Sequence, residues 1–263
     1  MGDSYIYKNQ KKLRWGYTTG TCSGSGFLGS CRLCCCRAGE WRQVSLTTPK
    51  GVRLDLEVEE METGENCVCC GVRKDAGDDP DVTDGLMVYS QVRLPDADSG
   101  GAGDAREAGD NTEAGDDRNA CGDYVYEKDG LRLILSGGVG VGRVTQCGLS
   151  CEVGKAAINP VPRQMIFEQV AGVCREAGFK GVLSIEIRVP EALKVADKTF
   201  NSRLGIRGGI SILGTSGMVE PMSETALLDT IRLELRQRIR NGEKNLLVTP
   251  GNYGENFVGT VLG

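Results

Sequence analysis

Between Pro95 and Asp123 the chain reads PDADSGGAGDAREAGDNTEAGDDRNACGD, and a compact fold cannot use that stretch as core. Gly, Ala and Asp without periodicity bury too little apolar surface to offset the entropy of ordering. The stretch holds nine acids against two arginines, a net −7, while the whole chain is −5. The rest therefore carries +2. We expect a disordered acidic surface loop over 95–123 that joins two strands, with the fold closing beneath it. The nearly neutral remainder suits an anionic ligand and lacks the basic surface of a nucleic-acid binder.

On either side of that loop the pattern is strand-like. Val52 to Val58 alternates apolar and polar residues, and Leu86 to Leu94 and Leu131 to Leu135 read similarly. Lys128-Asp-Gly130 has the composition of a hairpin turn. Pro160 to Ala177 reads as a helix opened by proline and closed by Gly178, and Val182 to Val189 alternates again. Beyond residue 200 a short apolar strand, Gly209 to Leu213, precedes a long helix from Ser223 to Arg240 with Ser223 as N-cap. Leu246 to Val248 is a second short strand. Strand, helix, strand is a parallel unit. The expected fold class is thus α+β / α/β. We expect an N-terminal α+β sandwich domain over 1–200, which the resemblance given below makes the substrate-binding domain, followed by a smaller, truncated parallel α/β domain over 201–263.

There is no histidine in the sequence. That removes the Ser-His-Asp and Cys-His machines and the commonest metal ligand. Any chemistry must rest on carboxylates, amines, hydroxyls and positioning. No apolar run approaches a membrane span of ~18 residues, and the N-terminus has no apolar signal region. The expected location is cytoplasmic. Twelve cysteines in a reducing cytosol read as buried small hydrophobes. Cys31-x-x-Cys34 and Cys67-x-x-Cys70 have the spacing of a four-cysteine zinc site. Against it, Cys34 to Cys36 run consecutively, and Cys67 and Cys70 point to opposite faces of a strand. We expect core cysteines and no metal. A zinc-stabilised binding module is the alternative.

Four glycine-rich stretches are candidates for ligand contact. RWGYTTGTCSGSG, Arg14 to Gly26, offers Thr18, Thr19 and Thr21 ahead of a segment with weak helix propensity. It reads either as a helix cap with N–H groups facing an anion or as a flexible entry loop. In KDAGDDPDVTDG the crowded Asp75, Asp78, Asp79 and Asp81 should raise one another's pKa and invite a cation. The bland alternative is that they cap turns. SGGVGVGRVTQCG carries GxGxG rather than the dinucleotide GxGxxG, and its Arg143 suits a carboxylate. SILGTSGMVEPMSE and TPGNYGENF each follow a short strand, where ligands of parallel sheets sit.

Together RWGYTTGTCSG, VRKDAGDDPDVTDG, GVGVGRVTQCGLSCEVGKAAINPVPRQMI, KTFNSRLGIRGGISILGTSGMVEPMS and TPGNYGENF resemble the cobalt-precorrin-5B (C-1)-methyltransferase family of anaerobic cobalamin biosynthesis. The resemblance runs from Leu13 to Phe257 and skips the acidic loop. It implies a two-domain α/β enzyme that moves a methyl group from S-adenosylmethionine to C-1 of a cobalt-bound tetrapyrrole, giving cobalt-precorrin-6A. Cobalt enters only as part of the substrate. Glycine, serine and cysteine here replace an alanine-rich helix after GYTTGTC, and Asp84 stands where the family has His or Asn. Members also continue past this C-terminus.

The resemblance implies roles for particular residues. Thr18, Thr19, Thr21, Arg143, Lys155, Arg163, Lys198 and Arg203 would bind the carboxylate-fringed macrocycle. Gly214, Thr215, Gly217, Glu220, Gly251, Asn252 and Tyr253 would hold the S-adenosyl-L-methionine. Asp75, Asp78 and Asp79 are the catalytic candidates. Self-association or contact with neighbouring pathway enzymes is compatible with this reading. So is a non-catalytic tetrapyrrole-binding or complex-forming protein.

Overall fold

The computed structural model describes residues 5–8, 10–36, 42–95, 122–240 and 242–246, with residues 254, 257 and 260 singly. Most of the acidic loop (96–121), and Gly251, Asn252 and Tyr253, lie outside the described residues.

The centre is a six-stranded mixed sheet. Its spatial order is Glu60–Thr63, Cys67–Arg73, Met87–Arg93, Gly181–Arg188, Leu131–Gly137, Tyr124–Lys128. All neighbours are antiparallel except Leu131–Gly137 with Gly181–Arg188. That parallel pair needs a crossover, and helix α2, Pro160–Glu176, supplies it. The hairpin at Asp129-Gly130 has positive φ at both residues, +52° and +80°, as a tight two-residue turn requires.

The sheet has an apolar face and a polar face. Val68, Cys70, Val72, Val88, Val92, Leu133, Leu135, Leu183, Ile185 and Ile187 are buried and join one core with residues of the helix Thr19–Cys36 (α1) and of α2. On the other face Tyr89, Gln91, Arg132, Ser184, Glu186 and Arg188 are exposed or half-buried, though Cys69, Met87 and Ile134 there are buried. This is the period-2 pattern of a sheet covered on one side.

Helix α1, Thr19–Cys36, is the inner helix, although its sequence TGTCSGSGFLGSCRLCCC disfavours helix. Each interior glycine costs ~1 kcal/mol relative to Ala. What offsets this is close approach on two sides. A Cβ at Gly24 would meet Met165 of α2 at 3.2 Å, and one at Gly26 would stand 2.7 Å from Ser90 Oγ. The serines are also used in place: Ser30 Oγ donates to Ser90 O at 2.7 Å, and Ser90 Oγ donates to Ser23 O at 3.0 Å. The small residues thus let α1 lie between sheet and α2. Of the two readings of this stretch, the flexible entry loop is overturned from Thr19 onward.

Helix α3, Glu224–Arg240, starts as its sequence predicts, with Ser223 Oγ accepting from Ala226 N at 3.3 Å. The strand expected from Gly209 to Leu213 is shorter, Gly209–Ile210, and pairs parallel with Gly140–Val141. Leu246 is in no strand and Leu247 and Val248 lie outside the described residues. A parallel crossover is present before residue 200, through α2, while most of the second strand of the unit expected after residue 200 lies outside the described residues. Arg143–Val144 also pairs with Ile206–Arg207, and Gly16–Tyr17 with Met218–Val219. Backbone hydrogen bonds thus cross the expected boundary at residue 200. Among the described residues no helix is long and apolar enough to cross a membrane.

Candidate functional site

A cleft of about 590 Å³ opens where these crossing strands meet. That volume lies within the usual range for small-molecule sites. Four of the glycine-rich segments reach it. Thr18 and Thr19 come from the start of α1, and Lys74, Asp81 and Thr83 from the acidic turn. Val144 to Asn159 supplies one wall, and Leu213 to Ser216 another. Ala226, Asp229, Thr230 and Leu233 of α3 close a further side.

The threonines build the joint between α1 and the 213–217 loop. Thr18 caps α1, its Oγ1 accepting from Thr21 N at 3.3 Å. Thr19 Oγ1 accepts from Leu213 N at 2.9 Å, and Gly20 N donates to Leu213 O at 2.8 Å. Thr21 is fully buried and its hydroxyl donates to Gly217 O at 2.7 Å. The expected anion-facing N–H groups of Gly20 and Thr21 are thus taken by protein acceptors. Thr18 and Thr19 stay on the cleft wall, and Thr21 does not line it. Gly214 has φ +150°, and a Cβ there would lie 2.3 Å from Thr18 Oγ1. The close approach of Thr18 thus requires glycine at 214, and Gly214 and Thr215 both line the cleft.

The most distinctive group in the cleft is Lys74. Its side chain is only 3% exposed, and its Nζ lies 2.5 Å from Asp81 Oδ2. Asp81 Oδ1 in turn accepts from Thr83 N at 2.8 Å and from Thr83 Oγ1 at 2.7 Å. Burial pushes the Asp81 carboxyl up, but the Lys74 ammonium and the Thr83 bonds outweigh it and hold it below the ordinary value. An ammonium has three donors. Among the described residues only Asp81 takes one, which leaves two for a ligand oxygen.

Asp75, Asp78 and Asp79 are each bonded within the fold. Arg14 grips Asp75 with both terminal nitrogens at 2.6 and 2.7 Å, and Gly77 N donates to Asp75 Oδ1 at 2.8 Å. Asp78 accepts from Arg14 N at 2.6 Å, and Asp79 from Met222 N at 2.9 Å. The expected mutual raising of pKa is overturned at Asp75, where the Arg14 bond and the Gly77 N–H hold the carboxyl below its usual value against burial. Asp75, Asp78 and Asp79 do not line the cleft.

Three expected carboxylate partners gather elsewhere. Arg143 Nη1 donates to Asp123 Oδ1 at 2.7 Å and to Gly154 O at 3.0 Å. Arg163 lies over the Tyr124 ring at 3.9 Å and Lys155 at 5.4 Å, with Lys155 also 3.1 Å from Glu152. Asp123, buried to 6%, anchors the group by also accepting from Gly137 N and Ala156 N. These charges are engaged within the fold and lie outside the cleft lining. Arg203 stands over Phe200, a lining residue, at 5.8 Å, and Lys198 is exposed outside the lining. Of the expected donor-site residues, Gly214 and Thr215 line the cleft. Gly217 packs on Thr48 and Pro49, and Glu220 pairs with Lys8 at 3.2 Å.

A family model described as CbiD matches residues 6–221. The chain belongs to the CbiD family. CbiD relatives carry a common name: the protein from Ruminiclostridium cellulolyticum, a cobalt-precorrin-5B C(1)-methyltransferase, is 42% identical over 97% of this chain and 57% of its own length. The same-named protein of Thermoanaerobacter sp. is 44% identical over 96% of this chain and 59% of its own. The chain spans about three-fifths of the length of these curated relatives. A 1.9 Å crystal structure of cobalamin biosynthesis protein (cbiD) from Archaeoglobus fulgidus has a similar fold, with TM-score 0.53 and 26% identity over 87% of this chain and 62% of that one. All the segments that form the cleft up to Val219 fall within the CbiD match.

Sequence reasoning missed Lys74, Thr83, Asn159, Phe200 and Asn201 as cleft residues. Only the acidic turn carried a usable signal. A lysine directly before four clustered aspartates invites an internal pair, and the pair fixes where that lysine points.

Proposed function

We propose that this chain binds a carboxylate-fringed cobalt corrinoid and S-adenosylmethionine in the cleft, and transfers a methyl group to C-1 of cobalt-precorrin-5B to give cobalt-precorrin-6A. The observation that carries the reading is the convergence of four CbiD segments on one cleft that contains a buried lysine bonded, among the described residues, to Asp81 alone. The names of the relatives support the reaction.

The donor supplies an already activated sulfonium methyl, so the protein's task is alignment, worth up to ~7–11 kcal/mol of barrier. Lys74 offers two N–H groups to a substrate carboxylate, with Asp81 fixing the ammonium. Asn159 and Thr18 add neutral hydrogen bonds along the wall. Phe200, half-exposed and backed by the Arg203 guanidinium, gives the rim a flat apolar surface for a macrocycle. Gly214 and Thr215 on the cleft wall fit a polar donor that must approach closely. Ionised Asp81 favours a nearby sulfonium. No proton transfer is required of histidine, which the chain lacks.

The test is incubation of the chain with cobalt-precorrin-5B and methyl-labelled S-adenosylmethionine, with mass spectrometry of the corrinoid. One methyl gained at C-1 is expected. Corrinoid binding without methyl transfer would reduce the reading to a binding protein, and absence of corrinoid binding would remove it.

A further inference from the structure

α1 and α2 bring together three thiols that sequence spacing does not connect. Cys31 and Cys35 lie one turn apart on α1, and Cys174 faces them from α2. The Cys31 sulfur is 3.8 Å from that of Cys35 and 3.8 Å from that of Cys174. All three sulfurs fall within 4.8 Å of one another. Cys31 and Cys174 are buried and Cys35 is half-buried, so the cluster has one side toward solvent. The pairing expected from spacing is different: Cys70 instead packs its sulfur near Gly29, and no described metal-ligand cluster contains Cys34, Cys67 or Cys70.

We propose that Cys31, Cys35 and Cys174 form a tris-thiolate zinc site, with water from the Cys35 side as fourth ligand. Zn–S bonds of about 2.3 Å in a tetrahedron set the sulfurs about 3.8 Å apart. Two of the three separations already have that value, and the third closes by a rotamer change at Cys35. An all-sulfur set selects a thiophilic ion over magnesium, calcium or manganese. Three thiolates on a divalent ion leave a net −1; on monovalent copper they leave −2, a worse charge to bury. On binding, three S–H bonds break, three Zn–S bonds form, and three protons pass to bulk water with no change of oxidation state. The site lies about 18–24 Å along α1 from Thr19. It therefore clamps the far ends of α1 and α2 and takes no part in cleft chemistry, and it is independent of the function proposed above.

The test uses the chain purified under reductant and stripped of metal, then titrated with zinc against a chromophoric chelator. One zinc should be retained per chain, and X-ray absorption of the loaded protein should give a shell of three sulfurs at about 2.3 Å. Zinc should raise the melting temperature. Cys174→Ser should lose both retention and the rise, while Cys147→Ser, at an exposed thiol, keeps them. Loss of all zinc to the chelator, a nitrogen- or oxygen-dominated shell, or full retention by Cys174→Ser overturns the proposal. The absorption spectrum needs only the unsubstituted chain, so a variant that fails to fold does not block the decision.

Discussion

Gly26→Ala in α1 and Gly172→Ala in α2 make the same chemical change in two helices and should have opposite signs. Helix propensity alone favours Ala at both positions by ~1 kcal/mol. At Gly172 a new Cβ meets nothing within 4 Å, so that gain should appear as stability. At Gly26 the new Cβ would lie 2.7 Å from Ser90 Oγ, 2.8 Å from Ser90 Cβ and 3.2 Å from Cys70 O. Ser90 is fully buried on a central strand, and its hydroxyl is bonded to Ser23 O. It has no free direction in which to yield. Overpacking costs about 1–3 kcal/mol. Loss of the Ser90–Ser23 bond leaves a buried group unsatisfied, for another ~1–3 kcal/mol. After subtracting the propensity gain, Gly26→Ala should lose roughly 1–5 kcal/mol. Urea melts of both variants read this directly, with matching transitions by fluorescence and circular dichroism as the check on two-state behaviour. A Gly26→Ala protein as stable as the parent would refute the close contact between α1 and the sheet. A destabilised Gly172→Ala would refute the propensity side of the argument.

Lys74→Met keeps the length of the side chain and removes its charge; a charge-assisted bond of ~1.5–3 kcal/mol predicts about 10- to 150-fold weaker corrinoid binding, read by absorbance titration. Unchanged affinity would take Lys74 out of the site. Asp75 and Asp81 have folded pKa values below the unfolded value of ~3.9, so their contribution to stability is present above that pH and is lost as pH falls through the folded values. Melts should therefore drop steeply below about pH 4, and Arg14→Met should flatten part of that fall, because it removes the first cause of the shift at Asp75. Asp123→Ala strands two backbone N–H groups and Arg143, and should cost roughly 2–4 kcal/mol by denaturant melt. Arg143→Ala, at a side chain half exposed, should cost under ~1 kcal/mol and leave corrinoid affinity unchanged.

Much of the fold was legible because local chemistry and tertiary structure agree. α2 and α3 carry their own boundary signals: proline at the start of one, Ser223 at the start of the other, and Gly178 and Gly242 in positive φ just beyond their ends. The alternating strands Arg53–Glu57, Met87–Arg93 and Gly181–Arg188 stand where period-2 pattern put them. α1 was obscured because propensity and context conflict there. Glycine is penalised in an isolated helix, and the contacts that reward it, with Ser90, Cys70 and Met165, come from residues 40 to 140 positions away. No local window contains them. The cysteine cluster failed to show for the same reason, since Cys174 comes from another helix.

The site was half legible, and the division has a physical basis. Glycine loops could be seen as ligand-facing from composition, and four of them do meet in the cleft. Charged side chains could not be sorted, because a sequence does not say which carboxylate each cation finds first. Arg143, Lys155 and Arg163 looked suited to a substrate carboxylate, and the fold gives them Asp123, Tyr124 and Glu152 instead. Lys74 attracted no attention beside four aspartates, yet among the described residues it keeps two donors in hand because one of those aspartates takes only the third. A cation becomes available to a ligand when its internal partners are fewer than its donors and its burial keeps water from filling the difference. Among the described residues both conditions hold at Lys74; Arg143 also has donors to spare, two of its five being bonded, but its side chain is 52% exposed and water fills the rest, which is why buried Lys74, rather than the arginine of the glycine loop, is the group on which we expect substrate recognition to turn.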